Sequence, residues 1–163
     1  QVAGNGPVAI LAFESEPPAR GWPQPASGLG WLDCGGIEDR ADRARVRARL
    51  RAAVRPPRLL VLACSLLTAP DRGVGAFLAE FAGEAGVPLA LLLSQDQHYR
   101  ARVPGDEAAK ASAVGQRIAD WRQIALAAGI PAANIAVIDL DQPAAATRPR
   151  LQAWLGRSAE ATG

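Results

Sequence analysis

The sequence has little of the chemistry on which many enzymes and metal proteins depend. It has one His, two Cys and no Met, and aromatic residues make up 5% of it. Its 18 basic residues include a single Lys, Lys110, which lies in a helical pattern. A phosphate-binding G-x-x-x-x-G-K-[ST] loop is therefore excluded, because that loop needs its Lys to neutralise phosphate charge. Two Cys and one His also cannot complete a four-ligand zinc site alone.

Long apolar segments are missing as well. No stretch approaches the roughly 20 apolar residues of a membrane span, and no signal peptide is evident. The absence of Met even at the first position predicts a fragment of a longer protein, so any membrane anchor would lie outside it. Cys34 and Cys64 end strand-like apolar runs and are expected as buried thiols, with a disulfide as the alternative.

The composition is that of an ordinary globular protein. With 163 residues, 49% of them apolar and 21% charged, the chain suits one domain with a single core. We expect that domain to span residues 1–163, with its core at about 7–157. The net charge of +2 does not indicate a nucleic-acid partner, which would require a clustered basic face.

Continuous apolar runs alternate with helical patterns along the chain. Strands are predicted at 7–13, 29–34, 58–65, 87–93 and 135–140, and helices at about 39–55, 68–86, 106–128 and 148–157. Such runs are typical of parallel strands that are covered on both faces. The predicted fold is α/β, a three-layer, doubly wound and mostly parallel five-stranded sheet of order 2-1-3-4-5. Thr68 is the predicted cap of the second helix, and 98–105 is a predicted polar loop.

The connection between the first two strands is unusual. A parallel crossover is ordinarily helical, but residues 14–28 are rich in Pro and cannot form a good helix. One face of the sheet near these strands would then lack a cover, which is typical of an interface. We expect another chain, or the rest of this protein, to contact Trp22 and Trp31 there.

Polar residues follow the predicted strands where their carboxyl ends meet, which is where open parallel sheets bind ligands. Carboxylates at that edge could hold Mg²⁺, whereas the simpler interpretation is that polar residues end strands at the water boundary. The candidate ligand-binding residues are Asp33, Gly35, Gly36, Ser65, Asp96 and Asp139, and Glu14, Glu16, Ser94 and Asp141 are expected beside them.

Three further features have a structural and a functional interpretation. Ser65 could be a nucleophile with His98 as its base, but it lacks the G-x-S-x-G elbow and this hydrolase is disfavoured. The segment from Thr68 to Gly73 is a helix start, or a functional turn whose Arg72 meets an anion or a partner carboxylate. An Arg-rich helix containing Arg43 and Arg47 is a solvated face, or contacts an acidic partner or anionic lipid.

Two segments resemble motifs of GTP-binding domains. Asp33-Cys34-Gly35-Gly36 resembles the Asp-x-x-Gly turn that reads the γ-phosphate. Leu93-Ser94-Gln95-Asp96 lies where the guanine-reading Asn-Lys-x-Asp would follow its strand, and Asp96 alone matches. The resemblance implies a GTPase-like fold without the phosphate loop, and the missing Lys and Asn speak against guanine specificity and hydrolysis.

A narrower resemblance covers most of residues 7–157. Three segments are similar to a bacterial family of unknown function: Trp31-Leu32-Asp33 with Gly35-Gly36, the turn from Thr68 to Gly73, and Asp120-Trp121-Arg122 with Ala128-Gly129-Ile130. Its members look like inner-membrane proteins with a soluble cytoplasmic C-terminal domain, encoded beside a predicted GTPase. The resemblance implies a cytoplasmic, membrane-tethered domain and carries over no catalytic residue.

The sequence thus leads to two functional hypotheses. The first is a non-catalytic GTPase-like domain that mediates protein association at the cytoplasmic face of the membrane. Its partner would be a GTPase or a second copy of the chain, and it would need no cofactor. The alternative is a Mg²⁺-dependent enzyme or small-ligand binder that uses the carboxylates at the end of the sheet. A nucleic-acid binder ranks last, because it rests on the Arg-rich helix alone.

Overall fold

Parallel strands with helices on both faces form the described part of the protein. The computed structural model describes residues 8–12, 31–36, 44, 48, 59–84 and 88–161. The strands are β1 (Val8–Ala12), β2 (Trp31–Gly36), β3 (Leu59–Ser65), β4 (Leu89–Ser94) and β5 (Ile135–Val137). The helices are α1 (Arg72–Glu84), α2 (Asp96–Arg102), α3 (Glu107–Ala127) and α4 (Ala144–Ala161), with a 3-10 turn at Ala132–Asn134.

The strands β3, β4 and β5 pair in parallel. Residues along β3 alternate between the two faces because side chains in a strand have a period of two. Leu60, Leu62 and Cys64 pack in one core cluster, whereas Leu59 and Val61 pack in the other. The prediction of an α/β fold with a parallel sheet is confirmed by this arrangement.

One helix layer covers each face of β3 and β4. Leu78 of α1 and Trp121 and Ala125 of α3 pack in the first cluster. Leu151, Trp154 and Leu155 of α4 pack in the second. Each of these six residues is at most 4% exposed, so both faces of the central strands are sealed.

The backbones of β1 and β2 run parallel to β3. β1 pairs with β3 from Val8 opposite Leu59 onward, and its other side pairs with β2. The sequence placed the end of β2 before Gly35, but the strand continues through Gly36, which lies opposite Ala12. The register shifts between Ile10 and Ala12, and such an irregularity accommodates glycines without ending the strand.

α3 matches its predicted bounds closely. Its N-cap is Asp106, whose carboxylate accepts a hydrogen bond of 2.9 Å from the Ala109 N–H. The chain leaves the helix at Gly129, which has a φ of 91° that suits a residue without a Cβ. The predicted stripe is confirmed at Trp121 and Ala125, which are buried.

Three sequence predictions for helices were wrong. Residues 98–102, predicted to belong to a loop, lie in the helix α2. This helix has Asp96 in its first turn and Arg100 and Arg102 in its last, which is the charge distribution that the helix dipole favours. α1 is capped by Asp71 rather than Thr68, since Asp71 Oδ1 accepts from the Val74 N–H at 2.9 Å.

The closing helix is longer than predicted. α4 begins at Ala144, four residues before the expected start, and contains Pro149. Its burial explains this length, because Leu151 and Trp154 are fixed in the core while Pro149 is exposed. None of the described helices is long and apolar enough to cross a lipid bilayer.

Candidate functional site at the carboxyl edge of the sheet

The carboxyl edge is the end of the sheet at which β3, β4 and β5 finish. Ser65 ends β3 opposite Ser94, which ends β4. Val137 ends β5 opposite Leu93, and the next residue continues the ladder through an Ile138 N–H to Leu93 carbonyl bond of 2.9 Å. The residues that follow these strands therefore lie close together, as the sequence predicted for Ser65, Asp96, Asp139 and Asp141.

Four side chains at this edge form a continuous hydrogen-bonded chain, which we call the edge network (Ser65, Gln95, His98 and Asp141). The Ser65 hydroxyl donates to Gln95 Oε1. Gln95 Nε2 lies 3.3 Å from Asp141 Oδ2, and His98 Nδ1 lies 3.1 Å from the same oxygen. The network thus links the ends of β3 and β4, the loop after β5, and α2.

Gln95 has an unusual backbone conformation. It precedes α2 with φ 64° and ψ 31°, the left-handed region, which costs a residue with a Cβ on the order of 1 kcal/mol or more. Among the residues that the structure describes, it is the one residue other than glycine with a positive φ. Such conformations persist where surrounding contacts enforce them, here the bonds to Ser65 and Asp141.

Asp139 serves the local fold. It is 6% exposed, and its Oδ1 accepts a bond of 3.0 Å from the Asp141 N–H. Ser94 Oγ accepts a similar bond of 3.0 Å from the Leu140 N–H. Together these bonds shape the turn after β5, so the geometry favours the structural interpretation of Asp139 over the ligand-binding one.

Asp96 has an unsatisfied oxygen. Its Oδ1 is buried and accepts no hydrogen bond from the described residues, whereas its Oδ2 lies 3.3 Å from Gln97 Nε2. A buried acceptor without a donor is uncommon in folded proteins. Asp96 therefore keeps unused hydrogen-bonding capacity that Asp139, the other candidate ligand Asp with a described side chain, does not show.

The turn after β3 is fixed from several sides. Arg117 of α3 donates to the Leu66 carbonyl at 3.0 Å and stacks on Tyr99, with its Cζ 4.4 Å from the ring centroid. Trp121 Nε1 donates to the Thr68 carbonyl at 3.1 Å. Arg72, the first residue of α1, is exposed beyond this rigid turn.

For several predicted site residues the structure describes no side-chain contacts. Asp33, Gly35 and Gly36 lie in β2, for which the backbone alone is described, and Trp31 begins that strand opposite Val8. Trp22, Arg43, Arg47, Glu14 and Glu16 lie outside the described residues. In the Arg-rich segment, Ala44 and Ala48 are helical and exposed.

The described residues offer no metal centre. Within them, no three His, Cys, Asp or Glu side chains lie close enough together to hold an ion. The clear electrostatic effect is at Glu107, where a hydrogen bond from Arg100 and the positive charge of that residue lower the pKa below its usual value of 4.5. This pair joins α2 to α3.

Ser65 and His98 are not arranged as a nucleophile and its base. The Ser65 hydroxyl donates to the Gln95 amide, and His98 bonds to Asp141. Sequence reasoning expected Asp141 at this edge but missed the parts played by Gln95 and His98. No cue marks Gln95, because left-handed positions are ordinarily occupied by Gly or Asn.

Comparison with known proteins gives a family and no function. Neither a curated protein nor a solved structure matches the chain. A family model described as "Protein of unknown function (DUF2868)" matches residues 2–130, which include β1 to β4 and α1 to α3. The carboxyl edge up to His98 lies within the match, while Asp139 and Asp141 follow it. The chain belongs to this family of unknown function, DUF2868.

Proposed function

We propose that the protein is a non-catalytic, GTPase-like α/β domain that mediates protein–protein association at the cytoplasmic face of the bacterial inner membrane. Its partner would be a GTPase or a second copy of the chain, and the rest of its own chain would span the membrane.

The proposed complete domain is a three-layer, doubly wound five-stranded sheet of order 2-1-3-4-5. Parallel pairing of the β1 backbone with β2 on one side and β3 on the other supports this order. A GTPase-like relation is further supported by the position of Asp96, which directly follows β4 and Gln95.

The observation that carries the proposal is that the polar side chains at the carboxyl edge form hydrogen bonds with one another and with their own turns. In a catalytic edge, nucleophile and base are joined to one another or aimed at a substrate. Here Ser65 and His98 each bond to a different partner within the edge network. Asp139 is likewise engaged by its own turn.

The association surface would include Trp22, Trp31, Arg43, Arg47 and Arg72. Arg72 supports this at the level of structure, since it is exposed and makes no ion pair with any residue in the described ranges. It extends from a turn whose backbone is fixed by Arg117 and Trp121. A surface that is already ordered loses less entropy on binding than a mobile one.

Charge reversal tests the association. The chain with its native membrane segment would be cross-linked in membranes, as wild type, Arg72→Glu and Arg122→Glu. Arg122 is an exposed Arg of α3 and provides the matched control. We expect the cross-linked complex in wild type and Arg122→Glu, and at least a several-fold loss in Arg72→Glu. Equal yields from all three, or no complex at all, would contradict the proposed role of this surface.

A second candidate function is a small-ligand binder at the carboxyl edge. The observation that favours it is the buried, unsatisfied Asp96 Oδ1 beside a strained Gln95. Strain and orphaned acceptors both concentrate at binding sites. The magnesium-dependent version has less support, since the described carboxylates do not converge on one point.

A further inference from the structure

A short segment after β4, residues 95–105, lies over the carboxyl edge and contains the helix α2, in which no residue is buried. We propose that this segment, which we call the strap, opens and closes over the edge as a unit while the sheet and α3 stay folded. Opening of the strap would be a property of the folded domain itself, whether or not the domain associates with a partner.

The strap connects the ends of three strands. It begins directly after β4, and its first residue, Gln95, accepts a hydrogen bond from the hydroxyl of Ser65 at the end of β3. From the middle of the strap, His98 Nδ1 lies 3.1 Å from Oδ2 of Asp141, in the turn after β5. The closed strap therefore keeps the polar side chains of the edge bonded to one another.

The strap is also attached to α3. The Tyr99 ring packs against the first core cluster, and the Arg117 guanidinium lies over it with Cζ 4.4 Å from the ring centroid. Arg100 pairs with Glu107 in the first turn of α3. Apart from the part-buried Tyr99 ring, these attachments are polar, and exposed polar pairs are individually weak.

Both ends of the strap have backbone conformations suited to a hinge. Gln95 has a φ of 64° and Gly105 a φ of 109°. Val103, the C-cap of α2, is extended, as the residue before a proline prefers, and Pro104 follows it. Hinges are a few residues at the ends of elements that absorb changes in φ and ψ. The segment between these two positions can therefore move without a change in β4 or α3.

The closed strap contains two unfavourable features that opening would relieve. The left-handed backbone of Gln95 is strained, because the residue has a Cβ. Oδ1 of Asp96 is buried and accepts no hydrogen bond from the described residues, and water would reach it once the strap opens. In contrast, the central strands are sealed on both faces. Segments with few buried contacts open at a lower free energy than the core of the same domain.

Hydrogen exchange at single amides, followed by NMR, tests the proposal. The Tyr99 N–H bonds to the Gln95 carbonyl at 3.0 Å and reports on the strap, whereas the Leu60 N–H bonds to the Pro88 carbonyl at 2.9 Å and reports on the sheet. We expect Tyr99 to exchange more slowly than in an unstructured peptide, but with protection lower than that of Leu60 by about a hundredfold or more.

Arg100→Gln and Arg102→Gln form a matched pair, since each removes one positive charge from the last turn of α2. Arg100 pairs with Glu107, whereas Arg102 is exposed and pairs with no carboxylate among the residues that the structure describes. The first substitution should speed exchange at Tyr99 about threefold, and the second should leave it unchanged. The Arg100 pair does not touch the Tyr99 N–H, so this acceleration reports opening of the whole strap.

Three results would overturn the proposal: equal protection at Tyr99 and Leu60, no protection at Tyr99, or equal effects of the two substitutions on Tyr99. The first would mean that the strap opens only with the whole domain, and the second that it is never closed. The wild-type comparison does not depend on either variant. Since association is measured by cross-linking and opening by exchange, each proposal can fail without the other.

Discussion

Gln95 is the residue at which local preference and tertiary contact conflict most clearly. Its left-handed backbone is unfavourable for a residue with a Cβ, yet its side chain bonds to both Ser65 and Asp141. The conformation places the amide between the ends of β3 and β5. Its strain is thus offset by links across the sheet edge.

Two substitutions at Gln95 separate strain from bonding. Gln95→Ala removes both side-chain bonds and keeps the strain, whereas Gln95→Gly removes both and relieves it. We expect Gln95→Gly to be more stable than Gln95→Ala by about 1 kcal/mol, since left-handed strain outweighs the extra chain entropy of glycine. Urea unfolding of both variants measures the difference. If Gln95→Ala is the more stable variant, the left-handed assignment is wrong.

Glu107 carries the clear pH dependence among the described carboxylates. A hydrogen bond and the charge of Arg100 lower its pKa below 4.5 in the folded protein. A depressed pKa stabilises the fold above the unfolded-state pKa, and this contribution is lost as pH falls through the folded-state pKa. The effect is small because Glu107 is exposed.

Glu107→Gln should therefore lower the melting temperature slightly at pH 7, and the difference from wild type should shrink as pH falls through the folded-state pKa of Glu107. Thermal unfolding of both proteins from pH 7 downward provides the measurement. Arg100→Gln supplies the control, because losing either partner should give the same pH profile. A gap between wild type and Glu107→Gln that widens toward acid would contradict the pairing.

At the scale of elements, the start of α1 shows which polar residue caps the helix. Asp71 Oδ1 accepts from the Val74 N–H, whereas the Thr68 carbonyl accepts from Trp121. Both residues precede the helix and both are good capping types. Sequence preference could not choose between them, because the contact of Trp121 with the Thr68 carbonyl depends on the tertiary structure.

The two residues should respond differently to truncation. Asp71→Ala removes the cap and should cost about 1 kcal/mol. Thr68→Ala keeps the carbonyl that Trp121 uses and should change the free energy of unfolding by less than about 0.5 kcal/mol. Denaturant unfolding of the two variants checks this order, and the reverse order would restore Thr68 as the cap.

Sequence reasoning succeeded where a pattern is local. The apolar runs of β3 and β4 and the long α3 follow from periodicity, and Gly129 marks the end of α3. It failed at α2, a helix of seven residues without an apolar stripe, with no buried residue in the structure. α2 is instead held by pairs such as Arg117 with Tyr99, which no local pattern reveals.

The location of the candidate site at the carboxyl edge could be predicted from the sequence, but the hydrogen bonds within it could not. Parallel strands bring their carboxyl ends together, so Ser65 and Asp141 were expected near one another. The partners of each side chain depend on loop geometry after β4 and β5. The bond from Ser65 to Gln95 rather than His98 is a result of that geometry, and it changes the functional interpretation.

At the scale of the whole molecule, the proposal rests on two features: the chain has a parallel α/β sheet, and its sequence has no phosphate-binding loop. The described sheet has helices on both faces, and its sequence supplies one Lys, in α3. The proposal therefore predicts that triphosphates gain no binding energy from this chain.

Thermal unfolding with GTP and Mg²⁺, compared with guanosine, tests the central claim most directly. A nucleotide at 100 times its dissociation constant would stabilise the fold by about 2.7 kcal/mol. The account predicts that the melting temperature with 1 mM GTP and Mg²⁺ equals the melting temperature with guanosine. A robust rise with GTP that guanosine does not produce, and that Asp96→Ala abolishes, would contradict it.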